Sequence, residues 1–198
     1  MIRLAGCLRD KPSSKDWKIE EVQGAVPLPD FVDLSGYDSP IENQQNTGSC
    51  VANAVVAAYE HLWRRLNGAR QYRDLSRLFA YYNARLRSGN PTTDTGTTIR
   101  SCLDACRVQG ICLESTMPYD SAKWYERPSD AAYAEAKAHR ITAFYLCTEF
   151  DHLRKSLAEG FPVVLSFEVF PSFNQLSLMA GCRCLVPARN QAVVTPWR

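Results

Sequence analysis

One stretch, residues 43–50, constrains this chain more than any other. It is a polar loop that carries Gln44 and, six residues later, delivers Cys50 after a Gly-Ser pair; an alanine-rich amphipathic segment follows at once. Cys50 is therefore expected at or just before a helix N-terminus, where unpaired backbone N–H groups and the helix dipole favour an anion. This position predicts a lowered pKa for the thiol and hence a nucleophilic thiolate.

Gln44 supports this interpretation. Its side-chain N–H can reach the same point and stabilise an oxyanion that develops there. The alternative is an ordinary buried cysteine at a helix start, which is a common arrangement. The glutamine at this spacing favours the nucleophile.

The run Asn-Gln-x-x-x-Gly-Ser-Cys from Asn43 to Cys50, followed by a helix, resembles the signature of the papain family of cysteine peptidases, and in particular its compact bacterial branch. The resemblance implies that Cys50 attacks the scissile carbonyl and that Gln44 is the oxyanion-hole donor. Two positions depart from the family pattern. Thr47 stands where a disulfide-forming cysteine is frequent, and Val51 stands where tryptophan is frequent.

The same resemblance implies an α+β fold with two lobes, one helical and one β-rich, and a substrate cleft between them. It implies peptide-bond hydrolysis of a peptide or protein substrate, with no metal or organic cofactor. A second motif, Gly-Ile-x-x-Glu-x-x-x-Pro-Tyr from Gly110 to Tyr119, matches the family's linker between the lobes and is independent of Cys50.

The turn-rich loop 90–96 has two interpretations. By resemblance, Gly96 lines the substrate groove, where a peptide backbone pairs with the loop in β fashion and the missing Cβ allows close approach. The alternative is a turn that starts the next helix, with Thr97 or Thr98 as its cap. We favour the groove.

Hydrophobic periodicity predicts five helices and two strands. The helices are expected at 49–66, 74–86, 99–108, 129–138 and 150–159, and the strands at 141–147 and 162–169. We divide the chain into an extended arm, a helical lobe with the nucleophile, the start of a β-rich lobe, and an aberrant tail; these are residues 1–30, 31–125, 126–175 and 176–198. The arm is interpreted either as a pro-segment that lies along the cleft or as a disordered tail.

Composition excludes several other classes. The apolar fraction of 45% is ordinary for a globular protein, and the net charge of +2 is spread without a basic run, which argues against nucleic-acid binding. No apolar run approaches the ~20 residues that a membrane span needs. We expect a monomer. The sequence Leu-Ala-Gly-Cys ending at Cys7 is similar to a lipoprotein cleavage box, but the apolar segment before it is too short for a signal peptide, which leaves a cytoplasmic and an exported protein both open.

The eight cysteines do not form a recognisable disulfide framework, and we expect reduced thiols. Cys102 and Cys106 lie four residues apart on a predicted helix, a spacing that can hold a metal. Because no second pair with histidines accompanies them, we interpret them as core cysteines.

The motif is incomplete in one respect. A papain-type reaction needs an imidazole to move the proton and an asparagine to orient it, and the family has both after the strand at 162–169. The chain's three histidines are His61, His139 and His152. His61 lies eleven residues down the predicted helix, about 16 Å from Cys50, and the other two precede the strand. We interpret all three as surface or hydrogen-bonded structural residues.

After Gln175 the resemblance stops. One permitted choice of codons for residues 176–198, read two bases later, gives VADGWMPLPGAGPESGGSHAVA, which contains a Gly-Gly-x-His-Ala-Val run. We infer a frameshift; a divergent C-terminus is the alternative. The chain is then expected to be an impaired peptidase, or else a non-catalytic peptide-binding remnant or a nonfunctional product of a frameshifted gene. The predicted strands should also lack partners.

Overall fold

The structure is a computed structural model that describes residues 6–21, 24, 27–167 and 189–195. The rest of the tail, including Cys182, Cys184 and the point after Gln175 where the resemblance stops, lies outside these ranges. The predicted domain boundaries remain predictions.

Three helices build the first lobe: α1 (Cys50–Asn67), α2 (Arg77–Arg87) and α3 (Ile99–Val108). The α1 helix is central because small and branched residues such as Ala52, Val55 and Val56 are almost fully buried on its face. It ends at Gly68, whose φ of +103° suits glycine and stops the helix.

Capping sets the helix starts. The Thr98 side chain accepts a hydrogen bond from the Ser101 N–H at 3.1 Å, so α3 begins at the predicted residue and one of the two predicted caps is correct. The α2 helix begins three residues later than predicted. Ser76 caps it by accepting from the Phe79 N–H at 3.1 Å, and Leu75 is held in a bridge to Leu113 instead. Two shorter helices follow, α4 (Asp130–Ala136) and α5 (Phe150–Ala158), each within its predicted segment.

The second lobe contains a three-stranded antiparallel sheet. Its strands are β3 (Ala143–Leu146), β4 (Val163–Ser166) and β5 (Arg189–Thr195), in the order β3-β5-β4. The prediction that β3 and β4 lack partners is wrong. The tail supplies β5 between them, and its Ala-Val-Val-Thr run has the β-branched character that suits a central strand.

The N-terminal arm joins both lobes. Its strand β1 (Cys7–Leu8) pairs in parallel with β2 (Thr97–Thr98) of the helical lobe. Ten residues later Lys18 bridges Leu146 of β3, and the Leu146 N–H donates to the Trp17 carbonyl at 2.7 Å. A short 3-10 turn, Ile19–Glu21, follows. Residues 6–21 thus have little regular structure and are packed on the protein.

All six cysteines in the described ranges are free thiols. Cys102 and Cys106 are fully buried in the core between the helices, which agrees with their interpretation as core residues. Within these ranges no helix is both long and apolar enough to cross a bilayer.

Glu60 is an acidic side chain buried in the core, only 3% exposed. Its Oε1 accepts the Leu75 N–H at 2.8 Å, which fixes the segment that leads into α2. Burial raises the pKa of Glu60 from 4.5 to about 7. The carboxyl is therefore protonated in the fold over a pH range in which it is ionised in the unfolded chain, so its contribution to stability is full below 4.5 and is lost as the pH rises through about 7.

We expect Glu60→Gln to remove this pH dependence, because glutamine keeps the oxygen acceptor and carries no charge. Urea unfolding should give similar free energies of unfolding for variant and parent at about pH 5, and a variant more stable by up to about 3 kcal/mol at about pH 8. Glu126→Gln, an exposed control, should change neither value. A parent whose stability rises between these pH values would contradict the assignment to Glu60.

Candidate active site

The structure places the predicted nucleophile at a helix start. Cys50 is the first residue of α1 and is half-buried. A turn in which the Thr47 N–H donates to the Gln44 carbonyl at 3.3 Å folds the preceding loop back, and the Gln44 side-chain N–H donates to the Thr47 carbonyl at 2.9 Å. The amide donor is thereby held against the loop that leads into Cys50. The sulfur is not inside a sealed core, since it lines an open cavity of about 170 Å³.

The Tyr119 hydroxyl fastens this loop to the rest of the lobe. It donates to the Gln44 carbonyl at 2.8 Å and lies 2.6 Å from Thr47 Oγ1 and 2.7 Å from Ser49 Oγ. One phenol therefore contacts three positions of the stretch that ends at Cys50. The sequence identified Tyr119 only as the end of a linker motif, so this positioning role was missed.

Tyr119 is itself held from two sides. Its backbone N–H donates to Glu114 at 2.6 Å, and the Arg77 guanidinium lies over its ring, 4.6 Å from the centroid. Arg77 also donates to Glu114 at 3.1 Å and to Glu42 at 2.5 Å. The Glu-x-x-x-Pro-Tyr spacing thus has a physical purpose, because its first and last residues support each other beneath the loop that precedes Cys50.

A second acidic side chain ties this loop to the glycine-containing loop 90–96. Asp94 Oδ1 accepts the Gly48 N–H at 2.9 Å and also the Tyr81 hydroxyl, while the Gly96 N–H donates to that hydroxyl at 3.2 Å. The two loops are therefore positioned relative to each other by Asp94 and Tyr81. Neither residue was singled out from the sequence.

Arg85 is a third residue that positions loop 90–96 and was not identified from the sequence. It is fully buried and donates to the carbonyls of Pro91 at 2.8 Å, Thr93 at 3.1 Å, and Trp124. Its guanidinium also lies over the Tyr81 and Trp124 rings. A cation buried in this way fixes the backbone of loop 90–96. The sequence carries no local signal for it beyond an arginine at a buried helical position.

The arm crosses the site at three glycines. The Thr97 N–H donates to the Gly6 carbonyl at 2.9 Å. A Cβ on Gly6 would lie 2.3 Å from the Gly48 carbonyl oxygen and 3.0 Å from Cys50 Sγ, and a Cβ on Gly96 would lie 2.2 Å from the Gly6 oxygen. The helix-start interpretation of loop 90–96 is confirmed, because Thr98 caps α3. The backbone of the arm pairs beside Gly96, and the substrate-groove interpretation stays a prediction.

The arm is anchored at a distance from this crossing by Arg100, in the first turn of α3. Its Nε donates to Asp16 at 2.8 Å, and its second guanidinium nitrogen forms an ion pair with the same carboxylate. It also donates to the Lys11 carbonyl at 2.6 Å, and its backbone N–H donates to Asp10 at 3.2 Å. Four contacts from one residue hold the arm against the helical lobe.

The sign of the pKa shift at Cys50 is opposite to the prediction. Burial raises the pKa of Cys50, and the nearby Cys7 thiol raises it further. The backbone N–H groups of Val51, Cys50 and Gly6 act in the predicted direction but are outweighed. The lowered pKa predicted from the helix start is therefore wrong for the arm-covered state, because the covering removes water from the sulfur.

The three histidines are engaged elsewhere. His61 Nδ1 lies 2.8 Å from Asp38 Oδ1, and buried His139 has its Nδ1 3.1 Å from the Ile111 carbonyl. Burial lowers the pKa of His139. His152 Nδ1 lies 3.3 Å from Thr148 Oγ1. Within the described ranges, Gly6 of the arm lies against both Cys50 and Gly96, Gln44 is held against Thr47 in the loop before Cys50, and the three histidines contact other groups.

The chain is similar to known proteins in sequence and in structure. No family model matches it. An uncharacterised peptidase C1-like protein of Acanthamoeba polyphaga mimivirus is 30% identical over 179 residues, which is 83% of this chain and 57% of that protein. The chain thus spans little more than half the length of this curated relative.

Solved structures agree with the sequence match. The crystal structure of xylellain, a cysteine protease from Xylella fastidiosa, has a TM-score of 0.76 and 26% identity, covering 95% of this chain and 77% of that chain. The digestive procathepsin L 3 of Tenebrio molitor larval midgut has a TM-score of 0.66 and 18% identity, covering 91% and 59%, and shows the fold alone.

The α+β fold, with a cysteine at the start of a central helix, is the fold of these two-lobed cysteine proteases. The chain is similar to papain-like cysteine peptidases, to which these relatives point together. The predicted resemblance and the predicted fold class are confirmed.

The close approach of Gly6, Gly48 and Gly96 allows a test of whether the arm covers the Cys50 thiol. We expect the rate of Cys50 alkylation by iodoacetamide to rise with pH about a midpoint above the ordinary thiol value of about 8.5. Gly6→Val should lower that midpoint, because its side chain collides with the Gly48 carbonyl and moves the arm away from the sulfur. Gly24→Val is the control, since a Cβ at Gly24 meets nothing. A parent midpoint below about pH 7 would contradict the covered thiol.

The anchor at Arg100 gives a separate prediction. Hydrogen bonds to charged groups contribute about 1.5–3 kcal/mol, so Arg100→Met should free the arm often enough to raise Cys50 alkylation about tenfold or more at fixed pH. Arg107→Met, on the exposed side of the same helix, should leave the rate unchanged. Mass spectrometry of the tryptic peptide that contains Cys50 measures both. Equal rates in the two variants would show that Arg100 does not hold the arm.

Proposed function

We propose that Cys50 and Gln44 form the nucleophile and oxyanion donor of a peptide-bond hydrolysis that proceeds through an acyl-enzyme. The thiolate adds to the scissile carbonyl carbon, and the resulting oxyanion accepts hydrogen bonds from the Gln44 side chain and the Cys50 backbone N–H. The amine leaves, and water hydrolyses the thioester. The observation that carries the proposal is the position of Cys50 at the start of α1, with the Gln44 side chain held against Thr47 in the loop that leads into Cys50.

The groove supports a peptide substrate. The backbone at β2 accepts an extended strand in this structure, namely β1 of the arm. A substrate that takes the same edge would pass Gly96 and place a carbonyl near Cys50, since main-chain pairing is how an extended peptide adds to a sheet edge. We propose that the arm and the substrate compete for this edge. Gly96 is then the substrate-binding residue, and its lack of a side chain is what permits the pairing.

We further propose that the chain as printed is an impaired peptidase. The reaction needs a base to form the thiolate and an acid to protonate the leaving amine. Burial raises the pKa of Cys50, and all three histidines contact other groups. Without a partner imidazole, little thiolate is present at neutral pH, and no histidine is placed to protonate the leaving amine.

A second function has its own support. The groove and its fastening residues are intact around a site that lacks an imidazole in the described ranges, which favours a peptide-binding remnant of a peptidase. A nonfunctional product of a frameshifted gene is the remaining possibility. These two possibilities are distinguished from impaired catalysis by whether the unaltered chain binds a peptide and whether it hydrolyses one.

Hydrolysis of fluorogenic peptides separates these possibilities. The unaltered chain should show no turnover above Cys50→Ala. Replacing residues 176–198 with the shifted-frame sequence VADGWMPLPGAGPESGGSHAVA, extended in that frame, should restore turnover, because it returns a histidine motif. In the restored chain, Gln44→Ala should lower kcat by about 10²–10³, as loss of one oxyanion donor does.

The outcomes are distinct. Turnover by the unaltered chain that disappears in Cys50→Ala would overturn the impairment but keep the peptidase. Tight peptide binding without turnover would support the remnant. A restored chain that remains inactive, with Cys50 accessible to alkylation, would overturn the frameshift. The genomic sequence across codons 170–198 checks the same point independently.

A further inference from the structure

Two cysteines meet at the crossing of the arm and the active site. Cys7 directly follows Gly6, and the Cα atoms of the two residues are about 3.8 Å apart. A Cβ at Gly6 would lie 3.0 Å from Cys50 Sγ. Both cysteines line the cavity of about 170 Å³ formed by the arm, α1, the start of α3 and β4. Cys7 is therefore brought into the same cavity as the predicted nucleophile by the backbone that covers it.

Neither thiol takes part in a disulfide. The Cys7 Sγ donates to the Leu8 carbonyl at 3.8 Å, a long contact even for sulfur, and also hydrogen-bonds the Ser166 side chain. Both cysteines are reduced and half-buried. Their shared cavity, together with the approach of the Gly6 Cβ position to Cys50 Sγ, places the two residues near each other.

The other described cysteines are shielded from a dissolved oxidant. Cys102, Cys106 and Cys112 are fully buried, and Cys147 is 6% exposed. Cys7 and Cys50 are therefore the two accessible thiols among the described residues, and they lie in one cavity. A peroxide small enough to enter this cavity meets these two sulfurs first.

We propose that Cys7 and Cys50 form a reversible intramolecular disulfide that latches the arm in the substrate groove. The regulatory meaning of this latch rests on the proposed function, but the bond itself does not. The small thiolate fraction of Cys50 attacks hydrogen peroxide, breaks the O–O bond and becomes a sulfenic acid; the hydroxide released takes up the proton that the thiol gave up and leaves as water. The Cys7 thiolate then attacks that sulfur and expels hydroxide, which leaves as a second water with the Cys7 proton. Two electrons pass in total from the two thiols to the peroxide, and a small dithiol reduces the disulfide again.

The latch has two consequences for the site. It holds the arm on the edge that a peptide would use, and it caps the nucleophile as a disulfide before further oxidation to sulfinic or sulfonic acid, which is irreversible in ordinary conditions. Oxidation then becomes a reversible off state, since reduction frees both the thiol and the arm.

Peptide mapping of the full chain tests the bond without any substrate. The chain is treated with dilute hydrogen peroxide, free thiols are blocked with iodoacetamide, and trypsin is added without reductant. Residues 4–9 and 19–64 are tryptic peptides with one cysteine each, Cys7 and Cys50. We expect these two peptides cross-linked in the monomer band of a non-reducing gel, and separated by dithiothreitol.

Matched variants complete the test. Cys147→Ser should keep the cross-link. Cys7→Ser should abolish it and reduce the fraction of Cys50 that dithiothreitol recovers at least about fivefold, because no second thiol intercepts the sulfenic acid. A Cys50–Cys102 link, a link between two chains, or equal recovery of Cys50 in parent and Cys7→Ser would overturn the latch. Because hydrolysis is not measured, these outcomes are independent of whether the chain is a peptidase.

Discussion

The site depends on the contacts of one phenol with the loop that precedes the nucleophile. The Tyr119 hydroxyl contacts Gln44, Thr47 and Ser49, and without it this loop would be an ordinary flexible connection. An oxyanion donor is useful only when its position is fixed before the charge develops. The linker motif, which stands seventy residues away in sequence, therefore completes the loop at Cys50, and the two resemblances noted in the sequence are one structural unit.

Much of the fold could be read from the chain because local rules decide it. The α3 helix begins where the capping threonine predicts, and α1 ends at the glycine that stops it. The α2 helix started late because a bridge at Leu75 overrode helical periodicity, which a local pattern does not show. The partner of β3 and β4 was missed for a related reason. Strand pairing depends on which distant segment reaches the gap, and the tail did not match the family pattern used to judge it.

The candidate site also combines features that the local sequence encodes with contacts between distant segments that it does not. Cys50, Gln44 and Gly96 could be proposed because motif spacing encodes them, and their roles stay predictions. Asp94, Tyr81 and Arg85 were missed because their roles arise from contacts between loops, and a lone aspartate or buried arginine has no distinctive neighbourhood in sequence. The pKa of Cys50 was predicted with the wrong sign for the same reason. A helix start is a local feature, whereas the burial that outweighs it comes from distant segments that meet at Cys50, among them the arm and β4.

The meeting of Gly6, Gly48 and Gly96 also specifies a synthetic ligand. A chain that follows this path must lack a side chain where it passes between the two loops, since a Cβ there collides with a carbonyl oxygen. A short peptidomimetic with glycine at this point and a mild electrophile at the next residue would match both the steric gap and the sulfur beneath it. Selectivity would then come from backbone shape instead of from side-chain pockets.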